Sequence, residues 1–122
     1  MFKVFDRRMD KLYSEIVKKE GKVDIIHAQS SLWGGISASY VAKKYNIPLI
    51  ITEHSSVKRG AYVRDSYYNR IVESYNSADK LIAVGNGLKE ELKELTNRND
   101  IKVIGNLVDL SIFDISNIKK DD

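Results

Sequence analysis

Leu49-Ile50-Ile51-Thr52-Glu53-His54 is the stretch on which the fold turns. Residues 49–52 are apolar without alternation, the pattern of a parallel strand covered by helices on both faces, and the run gives out at the polar Glu53-His54-Ser55-Ser56. Asn46 and Pro48 stop whatever precedes it. Upstream, Ala38, Val41, Ala42 and Tyr45 fall at i, i+3, i+4 and i+7, which predicts a helix with Ser30 or Ser31 at its cap. Before that, Val23-Asp24-Ile25-Ile26-His27-Ala28 reads as a second short strand. Phe5, Met9, Leu12 and Ile16 mark one face of an opening helix over residues 5–17, ending near Gly21.

Downstream the pattern repeats. Val63, Tyr67, Ile71, Tyr75 and Ala78 trace a helix, Leu81-Ile82-Ala83-Val84 a strand, and Gly85-Asn86-Gly87 its turn. Leu88, Leu92 and Leu95 give a further helix, and Lys102-Val103-Ile104 a short last strand before a loop from Asn106. Helices alternating with solidly apolar strands imply βαβ units, right-handed crossovers and a parallel sheet. The expected class is α/β, a Rossmann-like three-layer domain with about four parallel strands.

Composition agrees with a single domain. The chain has 122 residues, 43% of them hydrophobic and 30% charged, enough for a core and against wholesale disorder. With no cysteine, disulfides, thiolate metal sites and cysteine nucleophiles are excluded together. Apolar runs such as residues 47–51 fall far short of the roughly 20 residues that cross a bilayer. The charged N-terminus lacks a signal-peptide stretch, so a cytoplasmic address is expected. Lys plus Arg total 20 against 17 Asp plus Glu, a net charge of +3 that argues little for nucleic acid.

In a parallel sheet of this kind, ligands sit beyond the carboxyl ends of the strands. Here those ends are residues 27–31, 53–56, 85–87 and 105–109, and both histidines of the chain, His27 and His54, fall among them.

At these strand ends the sequence resembles the amino-terminal, acceptor-side domain of glycosyltransferase family 4, retaining enzymes of the GT-B fold. Five pieces in order carry the resemblance: Asp24-Ile25-Ile26-His27-Ala28; Gly34-Gly35 with Ala42-Lys43-Lys44-Tyr45-Asn46-Ile47-Pro48; Thr52-Glu53-His54; Ala78-Asp79-Lys80-Leu81-Ile82-Ala83-Val84; and Val103-Ile104-Gly105-Asn106-Leu107-Val108-Asp109. The chain departs from the family where Gln29 replaces a frequent second histidine, Gly85 a serine and Gly105 the hinge proline. The resemblance implies half of a GT-B architecture: residues 1–113 as a partial acceptor-side domain and residues 114–122 as a charged tail at the interdomain hinge. It further implies that a preceding strand and a second, donor-binding domain belong to the whole enzyme, so that this chain alone is expected to be inactive. The implied reaction moves a sugar from a nucleotide-sugar to a hydroxyl of a glycan, lipid or small molecule, with retention.

His54 carries the best functional case, as a group that hydrogen-bonds a sugar hydroxyl or phosphate in the cleft; the competing reading is a histidine satisfied by backbone in a turn. Glu53 should face the opposite side of the sheet from His54, as a positioning carboxylate or, on the plainer reading, a capping or solvated one. His27 reads either as a second contact or as a packed, bonded strand residue. Ser30, Ser31, Gly34 and Gly35 form a strand-to-helix turn suited to an anion or to ordinary capping. The basic, tyrosine-rich segment 58–70, with Arg59 as a candidate substrate contact, suits an anionic acceptor or a membrane surface, or is the solvated side of a helix. Asn106 and Asp109 are the candidate hinge residues.

No cofactor and no metal are expected: the two histidines lack a third ligand at a recognisable spacing, and neither a dinucleotide fingerprint nor a P-loop occurs. The expected partners are a sugar acceptor and, through the second domain, a nucleotide-sugar donor; no nucleic acid; peripheral contact with the inner membrane surface; and self-association through an unpaired edge at the residue 23–28 strand. The rival reading is a non-catalytic module of Rossmann-like fold that binds an anion or small ligand, and nucleic-acid binding through residues 58–70 stands third.

Overall fold

The structure is a computed structural model that describes residues 2–57 and 63–113. Element order is α1 (Phe2–Glu20), β1 (Ile26–Gln29), a wide kinked turn (Ser31–Gly35), α2 (Ile36–Tyr45), β2 (Leu49–Glu53), α3 (Asp65–Ser77), β3 (Lys80–Ala83), α4 (Asn86–Thr96) and β4 (Lys102–Val103). All strand pairs are parallel, in spatial order β1-β2-β3-β4. The α/β, Rossmann-like class with a four-stranded parallel sheet is therefore the fold of this chain. Among the described residues no helix is long and apolar enough to cross a membrane.

Register explains the strand limits. Ile26 lies opposite Leu49, and its N–H donates to the Pro48 carbonyl at 2.9 Å. The ladder begins there, because Pro48 has no N–H to return. The expected strand over residues 23–28 is accordingly shortened and shifted to Ile26–Gln29. Asp79 locks the other neighbour: its N–H donates to the Leu49 carbonyl and its carboxylate accepts the Leu49 N–H, both at 2.8 Å. Asn46 ends α2 in the left-handed region, at φ 52°, a conformation that asparagine tolerates better than most residues.

Layering differs from the expectation of helices on both faces. Each crossover steps one strand in the same direction, and right-handed crossovers of that kind put every connecting helix on the same face. Cross-strand partners Ala28, Ile51 and Leu81 share that face and are buried with Ile36 of α2, Ile71 of α3 and Leu92 of α4. Burying each of these Ile and Leu side chains contributes about 1.5–3 kcal/mol. On the other face, His27 and Gln29 are exposed and Ile50 and Ile82 only half-buried, so among the described residues the third layer is not formed. The unbroken apolar run of β2 is thus a weaker sign of two-sided cover than it looked.

Helix α1 lies against α2. Tyr13 packs on Tyr45 with ring centroids 4.2 Å apart, and Lys44 Nζ and Tyr45 Oη both donate to Asp10. The anticipated apolar face of α1 is turned toward α2 but incompletely covered: Met9, Leu12 and Ile16 line a groove with Ala38 and Val41, while Phe5, Leu12 and Ile16 remain exposed and Asp6 is buried near Arg70 of α3 at 3.4 Å. Among the described residues, strand β1 is one edge of the sheet, with no strand paired on its outer side.

Candidate functional site

Strand alternation sends Glu53 and His54 to opposite faces at the carboxyl end of β2, as their adjacency predicts. Glu53 turns inward and is 1% exposed, which corrects the solvated-carboxylate reading. Its Oε2 accepts from the Ser31 N–H at 2.9 Å and from Tyr75 Oη at 2.6 Å; its Oε1 accepts from the N–H groups of His54 at 2.9 Å and Ser55 at 3.2 Å. Tyr75 has one hydrogen, given to Glu53, so the Ser31 hydroxyl donates to Tyr75 Oη across 2.8 Å. Burial pushes the Glu53 carboxyl up, but the bonds from Tyr75, Ser31 and His54 outweigh it and hold the group below its ordinary 4.5. Burial, followed by the charge of Glu53, pushes the Tyr75 phenol upward. A buried carboxylate with this many donors stays ionised and acts as a clamp.

What the clamp holds is strained. Ser30 sits at φ 62°, ψ 149°, and Trp33 at φ 66°, ψ −56°. For residues with a side chain, such conformations cost on the order of 1–3 kcal/mol each and persist only when the surroundings dictate them. Glu53 fixes the Ser31 N–H between them. Trp33 is stacked on Phe5 with centroids 4.6 Å apart and meets the edge of Tyr67 at 5.2 Å. No side-chain cap forms at the start of α2, so the expected Ser30 or Ser31 cap is replaced by this pinned turn. The glycines serve close packing: a Cβ on Gly34 would lie 3.1 Å from the Gln29 carbonyl, and one on Gly35 would lie 3.2 Å from Ile51 Cδ1. The Ser31 and Gly35 N–H groups, candidates for holding an anion, are already bonded to Glu53 and to the Ser30 carbonyl.

His54 turns outward onto the open face. Its Nε2 lies 2.7 Å from Gln29 Oε1; Gln29 Nε2 lies 3.1 Å from His27 Nε2, which lies 2.8 Å from Thr52 Oγ1. The two histidines are therefore joined through a residue that the sequence offered only as a departure from a family pattern. His27 is exposed rather than packed in the core, but it is hydrogen-bonded to Thr52 and Gln29, as the plainer reading has it.

Between the pinned turn and the loop after β2 lies a pocket of about 260 Å³ lined by Ser30, Leu32, Glu53, Ser55, Ser56, Val57 and Val63. Glu91 of α4 holds its outer wall, accepting from Ser56 Oγ at 2.8 Å and from the Val57 N–H at 2.9 Å. A lining of three serines beside Leu32, Val57 and Val63 suits a small polar ligand with a carbon face. Tyr75 and Glu91 were missed in the sequence because each looks like an ordinary residue of an amphipathic helix; only their long-range partners mark them. Asn106 and Asp109 lie exposed beyond β4, with Asp109 accepting from the Ser111 N–H and hydroxyl in a local turn. Arg59, with the rest of residues 58–62 of the basic segment 58–70, and the tail 114–122 lie outside the described residues. Among the described residues no three His, Asp or Glu side chains gather as metal ligands.

Both groups of residues, with the pocket, sit at the carboxyl rim of a parallel sheet. No curated protein matches the sequence. The sequence model of glycosyltransferase family 4 matches residues 4–112, nearly the whole of the described fold, and the chain belongs to that family.

Proposed function

We propose that the chain is the acceptor-binding half of a retaining glycosyltransferase, which transfers a sugar from a nucleotide-sugar to a hydroxyl of a glycan, lipid or small molecule. The observation that carries this reading is the rim of the sheet: the pocket beside Ser30, Ser55 and Ser56 on one side of β2, and His54 on the other, both positioned by Glu53 and its neighbours. In this reading the pocket and the turn at Ser30–Gly35 receive the acceptor, with Arg59 as a further contact. His54 hydrogen-bonds the reacting hydroxyl or the donor phosphate, and His27 supports it. Donor and acceptor meet between two domains, with Asn106 and Asp109 at the hinge, because aligning the two reactants supplies much of the rate. The chain without its donor-binding partner does not turn over.

The test is sugar transfer by a polypeptide carrying both domains, with and without His54→Ala. Loss of about 10²-fold or more in rate is expected; undiminished transfer removes His54 from the site. Ligand binding without transfer, once both domains are present, favours the non-catalytic binding module instead. Self-association belongs to the proposal as well, supported by the open backbone edge of β1. A concentration-independent monomer in sedimentation would discard it.

A further inference from the structure

His27, Gln29, Thr52 and His54 share one face of β1 and β2, where Gln29 is the cross-strand partner of Thr52. Each histidine offers its Nε2 to the same amide: His54 Nε2 to Gln29 Oε1 at 2.7 Å, His27 Nε2 to Gln29 Nε2 at 3.1 Å. A primary amide is asymmetric, since its oxygen only accepts and its nitrogen only donates. The imidazole nitrogen facing the amide oxygen must therefore carry a hydrogen, and the one facing the amide nitrogen must not.

We infer that Gln29 is a positioning residue that forces the two neutral histidines into opposite tautomers, with the proton of His54 on Nε2 and that of His27 on Nδ1. Thr52 Oγ1, 2.8 Å from the same His27 Nε2, is compatible with the arrangement when its hydroxyl hydrogen shares the one lone pair there. The outcome at His54 is a ring whose Nε2–H is occupied and whose Nδ1 is the remaining acceptor, the form that receives a hydrogen bond from a ligand hydroxyl. This inference rests on the acceptor-binding reading for its use, though not for its geometry. It assigns Gln29 a task that its exposed position and strand-end location do not suggest.

The experiment is nitrogen-15 spectroscopy of the imidazoles in the full chain over a rising pH series, read where the spectra no longer change with pH. The expected spectrum has one ring of each tautomer, with His27 in the Nδ1–H form that free histidine disfavours. Gln29→Ala removes the amide, and Gln29→Glu replaces it with a group that accepts at both ends; in each variant His27 reverts to Nε2–H. Two Nε2–H rings in the parent chain, a reversed pair, or tautomers unchanged in both variants overturn the inference. Backbone amide spectra identify a variant that fails to fold, in which case the other one decides. Sugar transfer is read separately. Opposite tautomers together with a fully active His54→Ala enzyme would remove His54 from the acceptor site and leave the role of Gln29 intact. A transfer defect in His54→Ala beside unaltered tautomers in the Gln29 variants would do the reverse.

Discussion

Glu53 and His54 are neighbours in the chain, and their surroundings could hardly differ more. Glu53 faces the helices, is almost fully buried, and satisfies four donors drawn from the kinked turn, α3 and its own strand end. His54 faces outward, in a line of side chains joined one to the next by single bonds, of which His54, Gln29 and His27 are exposed and only the last, Thr52, is buried. Hydrogen bonds to a buried charge are strong, and losing one leaves a desolvated group unpaired; bonds at an exposed face exchange with water at little net cost. In the proposed reading, the closed face sets the shape of the site and the open face presents its groups to a ligand.

Glu53→Gln should break this contrast most severely, because one amide nitrogen would then point at donors. A loss of about 3 kcal/mol is expected from denaturant unfolding followed by the fluorescence of Trp33, the single tryptophan; a loss below about 1 kcal/mol would mean that the clamp is ornamental. Tyr75→Phe removes the donor to Glu53 and the acceptor of the Ser31 hydroxyl, with an expected loss of about 2 kcal/mol by the same measurement.

Acid should reach the same group. The folded-state pKa of Glu53 is depressed below 4.5, so the unfolded chain takes up this proton first as pH falls. Its contribution is complete above the unfolded value and disappears as pH drops through the folded one. Thermal unfolding between about pH 6 and pH 3 should show a steeper decline in the parent chain than in Glu53→Gln; parallel declines would place the acid-sensitive group elsewhere.

Smaller effects sharpen the comparison. Ser30→Gly relieves a backbone conformation that glycine adopts freely and should stabilise the chain by about 0.5–1 kcal/mol, net of the added freedom of the unfolded state. A destabilisation would show that the Ser30 side chain matters more than its strain. His54→Ala should alter stability by no more than about 0.5 kcal/mol, the ordinary range for an exposed position; a large change in its unfolding midpoint would make the open face structural.

Much of this was legible in the residues themselves. Spacing of apolar side chains gave the order of helices and strands, because that periodicity is a local property of each segment. The same alternation placed Glu53 and His54 on opposite sides, and β-branched runs bounded by Gly, Asn and Pro marked the strands. What the tertiary structure alone decided was everything that joins distant positions. The one-sided layering follows from the direction of successive crossovers, which no single segment encodes. The bond from Ser31 to Tyr75 spans 44 residues, and the one from Glu53 to Tyr75 spans 22. Tyr75 therefore looked like one more member of an apolar stripe, and Gln29 like an anomaly, until register and packing brought their partners within reach. Local pattern fixes which elements form; the partners of a buried charge depend on how those elements are docked.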